Sequence, residues 1–411
     1  MYAKTVSRRS ALTAVAAVGL AASVAGFATA PAMAQGQPVK VGELNSYNRF
    51  AAFAVPYRNG MQLAQDEINA KGGVLGGRKL EIVFRDDGST PGDAVRVAEE
   101  LLTRENVSFL AGTFLSNVGL AVADFANQKK TLFIATEPLT DAITMAQGNR
   151  FTFRVRPSTY MQTKMLVEAV KAKGVKKWAI VAPNYEYGQS AAANFKKLIK
   201  AATPDVEFVG EQFPALGKID AGATVAALES TKPEGIFNVL FGADLTTFVR
   251  EGNTRGLFEK RTVASLLTGE PEYLLPLGEE TPEGWIVTGY PWDQITEPAH
   301  KAFIDAYRAK FNDTPRLGSF LGYSVGYMMR ELLDKAGSTD TERLIATLKD
   351  FKFASVAGPV TIRGLDQQST MGAWVGETTK QGKAGAMKNW KYEDGAKYLF
   401  PEAEVKAARK E

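Results

Sequence analysis

The chemistry open to this chain is bounded first by its parts. Its 411 residues hold one histidine and no cysteine, which removes thiol catalysis and Cys/His zinc sites and leaves His300 as the one base that a hydrolytic triad could use. His300 falls at an acidic, polar helix start and is expected at the surface. The sequence contains no G-x-x-x-x-G-K-[ST] loop and no G-x-G-x-x-G fingerprint. The carboxylate pairs Glu99-Glu100 and Glu279-Glu280 are adjacent, so their side chains diverge and solvated faces explain them. Binding chemistry remains. Ser116 and Asn117 open a helix directly after a strand, where backbone N–H groups and the helix dipole favour an anion such as a carboxylate. Asp244 opens another helix in the corresponding place and can cap it or face a solute. Asp86-Asp87 ends a strand at the carboxyl edge, where ligands of open α/β sheets gather, with a solvated strand end as its expected role. Neither a metal site nor a cofactor is expected.

These residues must be positioned by a repeating unit: a short apolar β-rich run, a turn, then an amphipathic helix of about 12 to 18 residues. Strands are predicted at 39–44, 79–85, 107–111, 131–135, 177–182, 205–211, 235–241 and 262–267, with helices near 56–70, 91–105, 116–128, 158–173, 186–202, 218–230 and 244–254. In the second helix Thr90 can cap and Pro91 takes the first turn. Its Ala94, Val97, Ala98, Leu101 and Leu102 recur at i, i+3, i+4, i+7 and i+8, so one face is buried. Gly72-Gly73 and Gly76-Gly77 suit a turn with positive backbone angles.

Eight such units exceed one compact domain. The chain is expected to cross between two halves near Arg154 to Ser158, again after a strand at Trp285 to Thr288, and a third time near Gly358-Pro359. One half then comprises 39–156 with 289–357, the other 157–288 with 358–379. Helices are expected near 297–311 and 319–335 and alternating segments at 359–363 and 371–375, while the Lys/Gly/Ala-rich residues 380–411 read as an extended or mobile tail.

Residues 1–34 have a different character. Lys4, Arg8 and Arg9 precede an Ala/Val/Leu run, and Ala32-Met33-Ala34 forms a small-x-small cleavage site. This is a bacterial export signal of general secretory or, through Ser7-Arg8-Arg9, twin-arginine-like type. Its removal takes three basic residues and no acidic one, lowering the net charge from +4 to +1. No basic stripe is left for nucleic acid. A soluble periplasmic monomer is expected.

The span Val41-Gly42 through Asp66-Glu67-Ile68-Asn69-Ala70-Lys71-Gly72-Gly73-Val74-Leu75-Gly76, then Phe84-Arg85-Asp86-Asp87, resembles the opening of the type I periplasmic binding proteins, closest to the branched-chain amino acid receptors of ABC transporters. The likeness continues in order through Gly112 with Ser116, Phe153-Arg154, Asn184 to Tyr187-Gly188, and Phe311 to Pro315 before Tyr323. It implies two doubly wound parallel-sheet lobes joined by a three-crossing hinge, and the following site. Ser116 binds a ligand carboxylate. Phe53 supplies an aromatic lid, with Tyr47 as a neighbour able to do the same. Tyr187, or Tyr185, closes from the second lobe. Glu270, with Glu272 as competitor, receives the ligand ammonium. The loop Thr136-Glu137-Pro138-Leu139-Thr140 stands where the family has a second carboxylate clamp, and here the pattern departs. Leu139 replaces the clamping threonine and Glu137 brings a negative charge close to Ser116, which sets a standard branched-chain ligand in question.

The function so implied is that of an extracytoplasmic solute receptor, not an enzyme. It would take an amino acid, amide or aromatic acid and deliver it to a membrane ABC permease. A ligand sensor for a membrane signalling protein would show the same residues. A carboxylate-only hydrolase using Glu137 and Glu270 is the remaining catalytic alternative.

Overall fold

The computed structural model describes residues 36–409, so the segment read as an export signal lies outside the described residues. Among the described residues no helix is long and apolar enough to cross a membrane. The first half of the chain runs β1 (Val39–Asn45), α1 (Ala51–Ala70), β2 (Leu80–Asp86), α2 (Pro91–Thr103), β3 (Leu110–Gly112), α3 (Ser116–Lys129), β4 (Phe133–Ala135) and β5 (Thr152–Arg154). These five strands form one parallel sheet in the order β2-β1-β3-β4-β5. The capping read for α2 is present: Thr90 accepts from the Asp93 N–H, Pro91 sits in the first turn, and Ala94, Val97, Ala98 and Leu101 are buried.

The chain then leaves for a second sheet through α4 (Thr159–Val170), β6 (Lys177–Val181), α5 (Glu186–Ala202), β7 (Glu207–Gln212), α6 (Ala221–Ser230), β8 (Gly235–Asn238), α7 (Gly242–Arg255), β9 (Thr262–Gly269), α8 (Pro271–Leu277) and β10 (Ile286–Gly289). It returns to cover the first sheet with α9 (Pro298–Phe311), α10 (Leu317–Ala336), α11 (Thr341–Leu348) and a ribbon of β11 (Lys352–Ser355) and β12 (Gly358–Thr361). A last passage adds β13 (Ala373–Gln381), β14 (Ala384–Glu393) and α12 (Glu402–Ala408). The second sheet has seven strands, ordered β14-β13-β10-β9-β8-β6-β7, with β13 and β14 antiparallel and the rest parallel.

Burial organises these parts around two cores. One lies between the first sheet and α1, α9 and α10, with Val41, Met61, Phe109, Phe153, Tyr307 and Met329. The other joins that sheet's opposite face, through α2 and α3, to the interior of the seven-stranded half. Glycine sets the closeness of α1 to α10. A Cβ at Gly60 would lie 2.0 Å from the Ser319 carbonyl oxygen, and one at Gly322 would lie 2.0 Å from that of Tyr57. Any side chain there would force the helices apart.

Three expectations need correction. The described residues of 380–411 are not a tail, since β13 runs to Gln381, β14 pairs with it and α12 follows. The ladder is made by backbone groups, so the apolar run that marks a buried strand was not needed. The third passage lies between Thr361 and Ala373, later than Gly358-Pro359, because Gly358 to Thr361 pair with β11. His300 is fully buried and its Nε2 is 2.7 Å from the Tyr290 hydroxyl. It belongs to the inner face of α9 with Phe303, Ile304 and Tyr307.

Candidate functional site

The carboxyl ends of the strands in both sheets face one cleft. From the five-stranded side come Phe53 at the start of α1, Phe114 and Ser116 after β3, and Glu137 and Leu139 after β4. The seven-stranded side contributes Tyr185 and Tyr187 at the start of α5, Phe241 before α7, and Leu267, Glu270, Glu272 and Tyr273 around the end of β9 and start of α8. Arg156, on the first passage between the sheets, and the start of α10 close the back. Phe53 stacks on Phe114 of its own wall with centroids 5.2 Å apart, and meets rings of the opposite wall at 5.5 Å from Tyr273 and 6.3 Å from Phe241. Such pairs each contribute about 0.5–1.5 kcal/mol beyond area burial.

The polar groups of the first wall are bonded to one another. Ser116 Oγ accepts from the N–H groups of Leu139 at 3.3 Å and Thr140 at 3.2 Å, tying the loop after β4 to the first turn of α3. Arg154 holds the same loop from behind. Its guanidinium is fully buried and donates to the carbonyls of Leu139 and Thr140, to Gln368 Oε1 at 2.5 Å and to Thr144 Oγ1 at 3.1 Å. Glu137 accepts from Asn45 Nδ2 at 2.8 Å. Burial pushes its carboxyl up to about 7, with Asn45 and Arg156 pulling it down and Glu272 and Asp87 pushing it further up. Behind it Glu43 is also raised by burial, although the Tyr47 hydroxyl donates to it.

On the other wall the compensation is distributed differently. Glu270 is raised by burial, and the guanidinium of Arg156, which donates to it, opposes that shift. Glu272 accepts from the N–H groups of Gly318 at 3.1 Å and Leu317 at 3.4 Å, at the positive end of α10. Tyr187 is 2% exposed and its hydroxyl has no hydrogen-bond partner.

Of the residues singled out from the sequence, Phe53, Ser116, Glu137, Leu139, Tyr185, Tyr187, Glu270 and Glu272 line this cleft. Asn117 and Asp244 do not. Asn117 lies one step round α3, while Asp244 accepts from the N–H groups of Gly217 at 2.6 Å and Ile219 at 3.3 Å and faces a neighbouring hollow. Nor does it cap α7, whose N-cap is Phe241. Tyr47 sits under Glu43 and outside the cleft. Asp87 is not solvated. It is fully buried and accepts from Ser46 Oγ at 2.9 Å and the Ser89 N–H at 2.7 Å, and burial raises it to about 6.

Sequence reasoning missed Arg156, Phe114, Phe241 and Tyr273. A signal existed for the first: Arg154 and Arg156 alternate with Phe153 and Val155 just before Pro157, and two cations in an otherwise apolar extended segment must find buried partners. The two phenylalanines each close a strand-to-helix loop, the position that supplies ligand contacts in open α/β sheets.

The chain matches the family described as periplasmic binding protein over residues 38–383. It is 28% identical over 321 residues to a leucine-, isoleucine-, valine-, threonine- and alanine-binding protein of Pseudomonas aeruginosa, covering 76% of this chain and 82% of that one. A Leu/Ile/Val-binding protein homolog of Brucella suis is 26% identical over 343 residues, covering 79% and 82%. Among solved structures, a periplasmic binding protein of Burkholderia mallei superposes with a TM-score of 0.80 at 21% identity, covering 90% of this chain and 98% of that one. A solute binding protein of an ABC transporter from Rhodopseudomonas palustris, in complex with 3,4-dihydroxybenzoic acid, gives 0.77 at 23% identity and covers 88% and 99%. Together with the two parallel sheets, these matches establish that the chain belongs to the type I periplasmic binding proteins, in the branched-chain amino acid receptor family.

Proposed function

We propose that this protein is an exported, non-catalytic solute receptor that closes over a small organic molecule, an amino acid or a chemical relative, and delivers it to an ABC importer in the cytoplasmic membrane. The observation that carries the reading is the cleft itself: loops from the carboxyl ends of both sheets converge on it. The two halves, 39–156 with 289–361 and 157–288 with the segment from Ala373 onward, would turn about the three passages behind it. Closure would be favoured by contacts that a solute makes to both walls. A micromolar affinity, suited to uptake, corresponds to about −8 kcal/mol. Periplasmic residence follows the family, and a permease would dock on the closed face.

The test begins with mass spectrometry of whatever co-purifies with the protein. The protein is then stripped by unfolding and refolding, and the recovered solute is returned to it. At 100 times its Kd the solute should add about 2.7 kcal/mol of stability, and small-angle scattering should report a more compact particle. A stripped protein whose melting and scattering ignore every solute, including the one recovered, would refute the receptor reading. Chemical conversion of that solute would refute its non-catalytic part.

A further inference from the structure

The receptor reading leaves the occupant's charge open, and the cleft narrows it. Three carboxyl groups, Glu137, Glu270 and Glu272, line the walls against one guanidinium, that of Arg156. Arg156 already donates to Glu270, and Glu272 already holds two N–H groups at the start of α10. Glu137 is 3% exposed and has one neutral donor, Asn45. A buried carboxylate is ordinarily met by several donors or by a cation. An incoming anion finds little here. The Leu139 and Thr140 N–H groups that could form a carboxylate clamp point at Ser116 Oγ instead. Around the carboxyl groups stand Phe53, Phe114, Tyr185, Tyr187, Phe241 and Tyr273, whose π faces attract cations and whose bodies accept apolar groups. The buried, unpartnered hydroxyl of Tyr187 independently marks a polar contact still to be made.

We propose that the occupant is an organic cation: an ammonium or guanidinium group without a free carboxylate of its own, its charged end against Glu137 and its apolar body among the aromatic rings. This deepens the receptor reading and rests on it. It departs from recognition of a free amino acid, in which a carboxylate would share the cleft with three carboxyl groups while the guanidinium is engaged by Glu270.

The proposal carries a sign in pH. The groups that act on Glu137 are Glu43 on β1, Asp87 after β2, Arg156 on the first passage, Glu270 and Glu272 at α8, and Tyr57 on α1. With Glu137 held near 7 in the empty cleft, a cation must displace a proton to meet it ionised. Affinity for the cation therefore rises as pH climbs from 6 to 8, by roughly tenfold, and protons are released on binding. An anion would show the reverse.

Matched probes decide it on the stripped, refolded protein. Calorimetry would compare 3-methylbutylammonium with L-leucine, which differ by the carboxylate, and tyramine with 4-hydroxybenzoate, at pH 6 and pH 8 in buffers of different ionisation enthalpy. The expected result is binding of the amines, tighter at pH 8 with proton release, and a loss of tenfold or more together with the pH dependence in Glu137→Gln. Should that variant not fold, proton release by the unaltered protein still decides. Closure on leucine or 4-hydroxybenzoate without response to the amines overturns the inference and leaves the receptor reading standing. No response to any of the four also overturns it, while the co-purified solute judges the receptor reading separately.

Discussion

The two walls of the cleft satisfy their polar groups in different ways. On the five-stranded side, Ser116, the Leu139–Thr140 backbone and Arg154 form one bonded set, and Glu137 with Asn45 forms another. Across from it, Tyr187 has no partner for its hydroxyl and Glu270 finds its cation only on the passage between the sheets. The first wall is therefore held by its own bonds save for the charge that Glu137 keeps for a solute, and the second leaves a hydroxyl to be met. Rigidity predominates on one side of the site and responsiveness on the other, and that division can be tested where it is drawn.

The largest effect should follow from cutting the junction. Arg156→Ala leaves Glu270 buried without its partner, and denaturant melts at neutral pH should register a loss of about 3–5 kcal/mol. A loss below about 1 kcal/mol would mean that the second wall does not depend on the passage. The next effect belongs to the first wall and has a pH signature. Glu137 is raised from 4.5 to about 7, so its contribution to folding of the empty protein is full below about pH 4.5 and is lost as pH rises through 7. That amounts to about 3 kcal/mol across the window. Glu43, Asp87 and Glu270 slope the same way. Glu137→Gln should flatten the profile between pH 5 and pH 8 without abolishing it, and an unchanged slope would show that Glu137 is solvated. A smaller change is expected at Tyr187→Phe. Stability of the empty protein should move by less than about 1 kcal/mol because no bond is lost, while solute affinity falls. A drop in stability with affinity intact would reverse the roles given to the walls. Smallest of all, Lys129→Ala breaks a 2.8 Å surface pair with Glu99 far from either wall, and should cost less than about 0.5 kcal/mol.

The parts most legible in the sequence were those written in side-chain periodicity. Strand–helix alternation located β1 to β4, β6 to β9 and most of their helices because each buries an apolar stripe, whereas the three-residue β5 was read as part of the first crossing. The C-terminal β14 escaped because an antiparallel edge strand needs only its backbone to pair, and its burial rests on a few residues such as Met387. His300 was read from its charged neighbours Glu297 and Lys301, whereas its spacing to Phe303, Ile304 and Tyr307 was the better guide. In the site, Ser116 was visible as a helix start after a strand end, and Tyr187 through the family resemblance. Asp244 misled for the same reason: a carboxylate at a helix start serves a loop's backbone as readily as a ligand. Arg156 went unseen because its partner lies 114 residues on, a distance that local pattern does not reach.

The glycine seam between α1 and α10 bears on how the molecule is made. Tyr323 and Tyr327 of α10 reach Glu67 of α1 across 256 and 260 residues. All five strands of the first sheet end by Arg154, so a ribosome finishes that sheet long before it reaches the helix that α1 packs against. Until then a large greasy flank stays bare, inviting nascent chains to cling to one another. A holding chaperone would be needed most during that interval, and widening the seam, as Gly322→Val would, should prolong it and send more of the newly made protein into aggregates.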